Sequence, residues 1–146
     1  MKATAATEAK GTGMRNYARQ QTRTLLRRLA YQVSQTARNC EADSVHDLRV
    51  AIRRFTQCLR VFEPYFPEGE GAKIRHKLKA IMQAASAVRD RDIAMDILRK
   101  AGIPQQSKMA AALHAGRKQA ERDLLKAIRR SSRNNFSRKW RERLEL

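Results

Sequence analysis

Aromatic side chains are scarce in this 146-residue sequence: one Trp, three Tyr and four Phe, 5% of the whole. A protein that holds single strands by stacking bases needs a platform of such rings, so the shortage counts against that mode. Cysteine occurs only at Cys40 and Cys58. Two thiols make no disulfide framework, and their spacing matches no zinc-ligand pattern. They are expected to be reduced thiols in a cytoplasmic protein. No apolar run approaches the roughly 20 residues of a membrane span. The opening MKATAATEAKGTG has no apolar core of the kind a signal peptide requires. Catalytic signatures are missing as well: no glycine-rich phosphate loop, no HExxH, no Cys/His metal cluster and no Ser-His-Asp set. No catalytic residue, metal, cofactor or membrane association is expected.

Acidic residues are the other deficit. Fourteen Asp and Glu face 32 Lys and Arg, a formal charge of +18. A field of that sign gathers phosphate-rich polymers or anionic surfaces. Hydrophobic residues make up 42%, too many for a disordered basic tail, so the cations belong to a folded scaffold.

Breakers are few, and they divide the chain into long stretches. Pro64 and Pro67, with Gly69 and Gly71, mark one turn; Gly102 and Pro104 mark another. No strand alternation occurs. Residues 1–13 are small and polar and read as a flexible tail, with one helical domain over residues 14–146. The first helix is predicted from Met14 to Ala37, with Leu25, Leu29 and Val33 four apart. The second starts at Asp43 or Ser44, either of which can cap it, and ends before Pro64. The third spans Gly71 to Ala101 and stops at Gly102. The fourth runs from Pro104, a good first-turn residue, to Arg130. A last turn or helix lies near Phe136 to Arg143. The fold class is all-α, an antiparallel four-helix bundle.

The second helix is the most informative. Val45, Leu48, Ile52, Phe55, Leu59 and Phe62 recur in steps of three and four, the seam of a packed helix. His46, Arg49, Arg53, Gln57 and Arg60 form a second stripe within about 80° of arc at 100° per residue, flanked by Arg54. No acidic residue offsets it. A solvated helix face usually mixes signs, because opposite charges four apart support each other. Lining up cations costs self-repulsion that an anion would relieve, and the planar fork of Arg matches phosphate oxygens. A basic, solvated face is the alternative. On the third helix, Ile74, Leu78, Ile81, Ala85 and Val88 form the apolar face. Arg75, Lys79 and Arg89 share about 80° of arc beside it. Arg89-Asp90-Arg91-Asp92 follows, readable as a local surface salt-bridge cluster.

Two of these segments together resemble the CHAD family, the conserved histidine α-helical domain. One is VHDLRVAIRRFTQCLRVFEPYF from Val45, which carries His46, Arg49, Val50, Arg53 and Arg54 at the family's spacing. The other is LKAIMQAASAVRDRDIAMDIL, with Arg89, Asp90, Asp92 and Ile93. The resemblance covers about Arg15 to Arg130. It implies a helical bundle that binds inorganic polyphosphate without catalysis, associated with polyphosphate granules. The implied contacts are His46, Arg49, Arg53, Arg54 and Arg89, with Arg60, Arg75 and Lys79 added from their stripes. Asp90 and Asp92 are expected to orient arginines or backbone. Family members usually carry two such units with a channel between them, and this sequence shows one. A homodimer that rebuilds the missing wall is therefore expected, with binding by a monomer in a shallower groove as the alternative. Ser86 stands where a Gly is common.

Nucleic acid is the main alternative partner, since charge alone supports it. No recognisable DNA or RNA module is present. Trp140, in SRKWRER, is expected to pack rather than to stack a base. EGEGAK at Glu68 to Lys73 comes near the ExExK strand motif of CYTH hydrolases, but its lysine is one residue late and it sits in a turn. An apolar stripe for docking a protein or membrane is not expected, because the bundle core claims the apolar faces.

Overall fold

The computed structural model describes residues 2–133 and 135–146, with side chains from residue 11 onward. Among these there are five α-helices, a 3-10 turn at Glu63–Tyr65 and no strand. The helices are α1 (Lys2–Arg38), α2 (Ala42–Val61), α3 (Glu70–Lys100), α4 (Lys108–Ser131) and α5 (Phe136–Leu144). Short links fold α1, α2, α3 and α4 back and forth, each packing on its sequence neighbour. The result is the expected all-α bundle.

The seam of α2 is buried as its spacing predicts: Val45, Leu48, Ile52, Phe55 and Leu59, with Phe62 half-buried. The predicted apolar face of α3 is buried throughout. On α1 the buried stripe is Ala18, Thr22, Leu26, Leu29, Val33 and Thr36, so Leu25 flanks the core and Leu26 enters it. α5 closes the bundle. Trp140 is buried, stacked on Phe55 at 6.2 Å and 5°, with the edge of Phe136 at 4.9 Å. Burying a ring of this size removes well over 100 Å² of apolar surface from water. Trp140 packs, as expected.

Three boundaries differ from expectation. α1 is helical from Lys2, so residues 2–13, expected as a tail, belong to it. Their Ala, Lys and Glu residues favour helix, and Gly11 and Gly13 do not break it. α2 starts at Ala42, with Glu41 as N-cap and no side-chain cap bond; neither Asp43 nor Ser44 caps it. α4 starts at Lys108, after Ser107, whose hydroxyl accepts from the Ala110 N–H at 3.2 Å. Pro104 instead sits in the preceding turn, where its carbonyl accepts from the Ser107 N–H. A true side-chain cap outcompetes a residue that merely tolerates the first turn.

α3 has 31 residues and α2 has 20, so α3 overruns its partner by about 16 Å at 1.5 Å per residue. The overhanging end pairs with α4 and leaves Ile93, Ile97 and Met109 exposed. The core therefore does not claim every apolar side chain. No helix among the described residues is long and apolar enough to cross a membrane.

Candidate anion-binding groove

At one end of the α2–α3 hairpin the two helices pack closely. A Cβ on buried Gly71 would meet the Leu59 carbonyl at 3.8 Å, so the helix backbones lie near each other there. Toward the middle, the Arg49 Nε donates to the Ser86 hydroxyl at 3.3 Å. Between and beyond these points lies a groove of about 790 Å³. Its floor is apolar, with Ile52, Leu78, Met82 and Ala87. Its cations are Arg53 and Arg60 from α2 and Arg75, Lys79 and Arg91 from α3, with His76 beside them. Asp90 is its one carboxylate, and Thr56, Gln57, Gln83 and Ser86 add neutral polar groups. From Arg75 to Arg91 the helix advances about 24 Å.

Arg75 is the informative member. Its side chain is 20% exposed, and one guanidinium nitrogen, Nη2, lies 3.6 Å from exposed Glu63 at the rim. Its Nη1 is buried and has no hydrogen-bond partner. A buried N–H left unsatisfied is costly, and a cationic one more so. An oxyanion in the groove would satisfy it with a charge-assisted hydrogen bond.

Of the eight cations singled out from sequence, Arg53, Arg60, Arg75 and Lys79 line this groove together. Arg49 is half-buried and borders it through Ser86. Exposed His46 and half-buried Arg89 lie outside its lining. Arg54 faces the other way, into a cleft between α1 and α2. It follows Arg53 by one residue, and one helical step turns a side chain by 100°. Sequence reasoning missed His76, hidden in the cationic run from Lys73 to Lys79. It also missed Arg91 as a groove residue; its Nη1 donates to the Ala87 carbonyl at 3.0 Å.

Asp92 has a different task. Its Oδ1 accepts from Arg117 Nε of α4 at 3.2 Å. The same guanidinium reaches Glu121 on its own helix and the Cys40 carbonyl in the α1–α2 link. Asp92 thus orients an arginine, as expected, across helices rather than within its own. Burial alone would lower the Arg117 pKa, but the hydrogen bond and charge of Asp92, with Cys40 and Glu121, outweigh it and raise it.

A family model described as CHAD domain matches residues 20–146, nearly the whole chain. The chain belongs to that family. No curated protein and no solved structure gives a significant match.

Proposed function

We propose that this CHAD-family chain binds inorganic polyphosphate in the groove between α2 and α3 and acts as a binding module, not an enzyme. The family is associated with polyphosphate binding. The observation that carries the reading to this groove is the buried, unsatisfied Nη1 of Arg75 in a groove whose lining has four further Arg and Lys side chains and a single carboxylate. Polyphosphate places charge more densely than a nucleic-acid strand, which suits cations crowded on two facing helices. No Phe, Tyr or Trp lines the groove, so bases would find nothing to stack on. Arg53, Arg60, Arg75 and Lys79 make the principal contacts. Arg49 is held ready by Ser86, and His46 and Arg89 extend the basic surface.

Two such chains pair around the polymer in this reading. Ile93 and Ile97 fall on the same side of α3 as Lys79 and Ser86 by the 100° rule, so the exposed apolar end of α3 continues the groove face. Polyphosphate neutralises the like charges that would otherwise keep two +18 chains apart. The protein is cytoplasmic, located at polyphosphate granules.

The test is competition at several salt concentrations. Long-chain polyphosphate is bound first, then challenged with duplex DNA and single-stranded RNA at equal phosphate. Polyphosphate is expected to resist both, and Arg53→Glu/Arg75→Glu to abolish its retention. Displacement at parity would make nucleic acid the partner. Light scattering with and without polyphosphate checks the pairing; a monomer under both conditions with full affinity would remove it.

A further inference from the structure

The face of α2 turned away from that groove carries a second assembly. A cleft of about 590 Å³ runs between α1 and α2. Three arginines line it, Arg27 and Arg28 from α1 and Arg54 from α2, together with Tyr31, Gln32 and Asp47. Leu25, Val50 and Ala51 give it an apolar base. Among the described residues, none of the three guanidinium groups has an ion pair or side-chain hydrogen bond, and neither does Asp47. Tyr31 is 59% exposed.

The groups are sorted along the cleft. The Thr22 hydroxyl meets Cys58 Sγ at 3.3 Å, and the Thr36 hydroxyl donates to the Ser44 carbonyl at 3.3 Å. These contacts fix an antiparallel register that sets Arg54 level with Leu26 and Asp47 level with Val33. The three arginines therefore gather toward one end. Tyr31, Gln32 and Asp47 gather toward the other, with Asp47 about 10 Å along the helix from Arg54. A bare phosphate chain has no use for an exposed phenol ring and is repelled by a free carboxylate. A ligand with phosphate at one end and a hydrogen-bonding aromatic ring at the other satisfies both.

We infer that the α1–α2 cleft is a second site, for a nucleotide. Its phosphates sit on Arg27, Arg28 and Arg54 as guanidinium–phosphate pairs. Its ring lies on Tyr31, and Asp47 accepts from a ring amino or sugar hydroxyl group, with Gln32 able to donate and accept beside it. The ligand comes either as free nucleotide or as a residue of single-stranded RNA. The inference is independent of polyphosphate binding in the first groove.

The experiment compares ADP with pyrophosphate by calorimetry. It uses the full chain carrying Arg53→Glu/Arg75→Glu, so that the α2–α3 groove does not compete. ADP is expected to bind about tenfold tighter than pyrophosphate, the lower part of the range for stacking one base. Adding Tyr31→Ala removes that preference, and adding Arg54→Glu weakens both ligands. Equal affinity for the two, or ADP binding untouched by Tyr31→Ala, overturns the site. An oligouridylate that binds more tightly than ADP and depends on Tyr31 assigns the site to RNA; weaker binding assigns it to free nucleotide. Tyr31→Ala in the otherwise unaltered chain leaves polyphosphate retention intact, so failure of one site is distinguishable from failure of the other.

Discussion

Arg75 and Arg117 are buried to a similar degree, with 20% and 15% of their side chains exposed, yet they do opposite things. Arg117 stands where α3, α4 and the α1–α2 link meet. Each nitrogen of its guanidinium has a partner, in Asp92, Glu121 and the Cys40 carbonyl. Arg75 stands in the α2–α3 groove with one rim carboxylate and a buried nitrogen that has no partner. Both residues sit in a strongly basic chain, and composition does not separate them. What separates them is whether the protein itself completes the arginine's hydrogen bonds. At Arg117, where it does, the cation holds helices together; at Arg75, where it does not, the cation is left open to the anion proposed for the groove.

The largest expected effect falls on the completed arginine. Arg117→Met leaves the Asp92 carboxylate, 12% exposed, without its cation while its Oδ2 already lacks a partner. Removing one member of a buried pair costs about 3 kcal/mol, to be read from urea unfolding. Arg117→Met/Asp92→Asn should recover part of that loss, because no buried charge is then stranded. The next effect falls on Arg75. Arg75→Met keeps an apolar stem of similar length and deletes an unsatisfied group, so stability should change by less than about 0.5 kcal/mol. Polyphosphate affinity should fall about tenfold, the equivalent of about 1.4 kcal/mol for a lost charge-assisted hydrogen bond. A chain that unfolds readily on losing Arg75 yet still binds fully would erase the distinction.

How much of this was legible beforehand depended on range along the chain. The face of α2 was readable because its apolar repeat fixes the phase of the helix, and phase alone separates Arg53 from the core. The same rule placed Arg54 at the edge of the stripe, and only the neighbouring helix decides that such an edge residue faces α1. That Arg75 and Lys79 share a groove with Arg53 and Arg60 needed the register of the hairpin, which appears only where α2 packs on α3. Asp92 and Arg117 are 25 residues apart and leave no local signal, so Arg89-Asp90-Arg91-Asp92 read as a surface cluster. At α4 the expected start at Pro104 gives way to Ser107, whose side-chain cap bond fixes where the helix begins. The long α1 was missed because residues 2–10 favour helix by propensity without any apolar repeat to show it.

A further effect reports on the completed side of the comparison. The Cys40 thiol is pushed up to about 11, from 9.0, by burial first and then by the Glu121 charge; Asp92 adds to this and Arg117 opposes it. Burial also raises Cys58, against a hydrogen bond to Thr22. Between about pH 9 and 11 the folded chain thus keeps a thiol proton at Cys40 that the unfolded chain has released. Folded protein binding more protons means that stability falls as pH rises through this window, and that the thiol contributes no slope below it. Other groups titrate there too, so the useful reading is a difference: Cys40→Ala should show a shallower decline of its thermal midpoint between pH 9 and 11 than the parent chain. Equal slopes would mean that Arg117 screens its carboxylates from the thiol and that burial alone is too shallow to matter. The junction would then resemble the groove in one respect, as a site governed by its cation rather than by the balance around it.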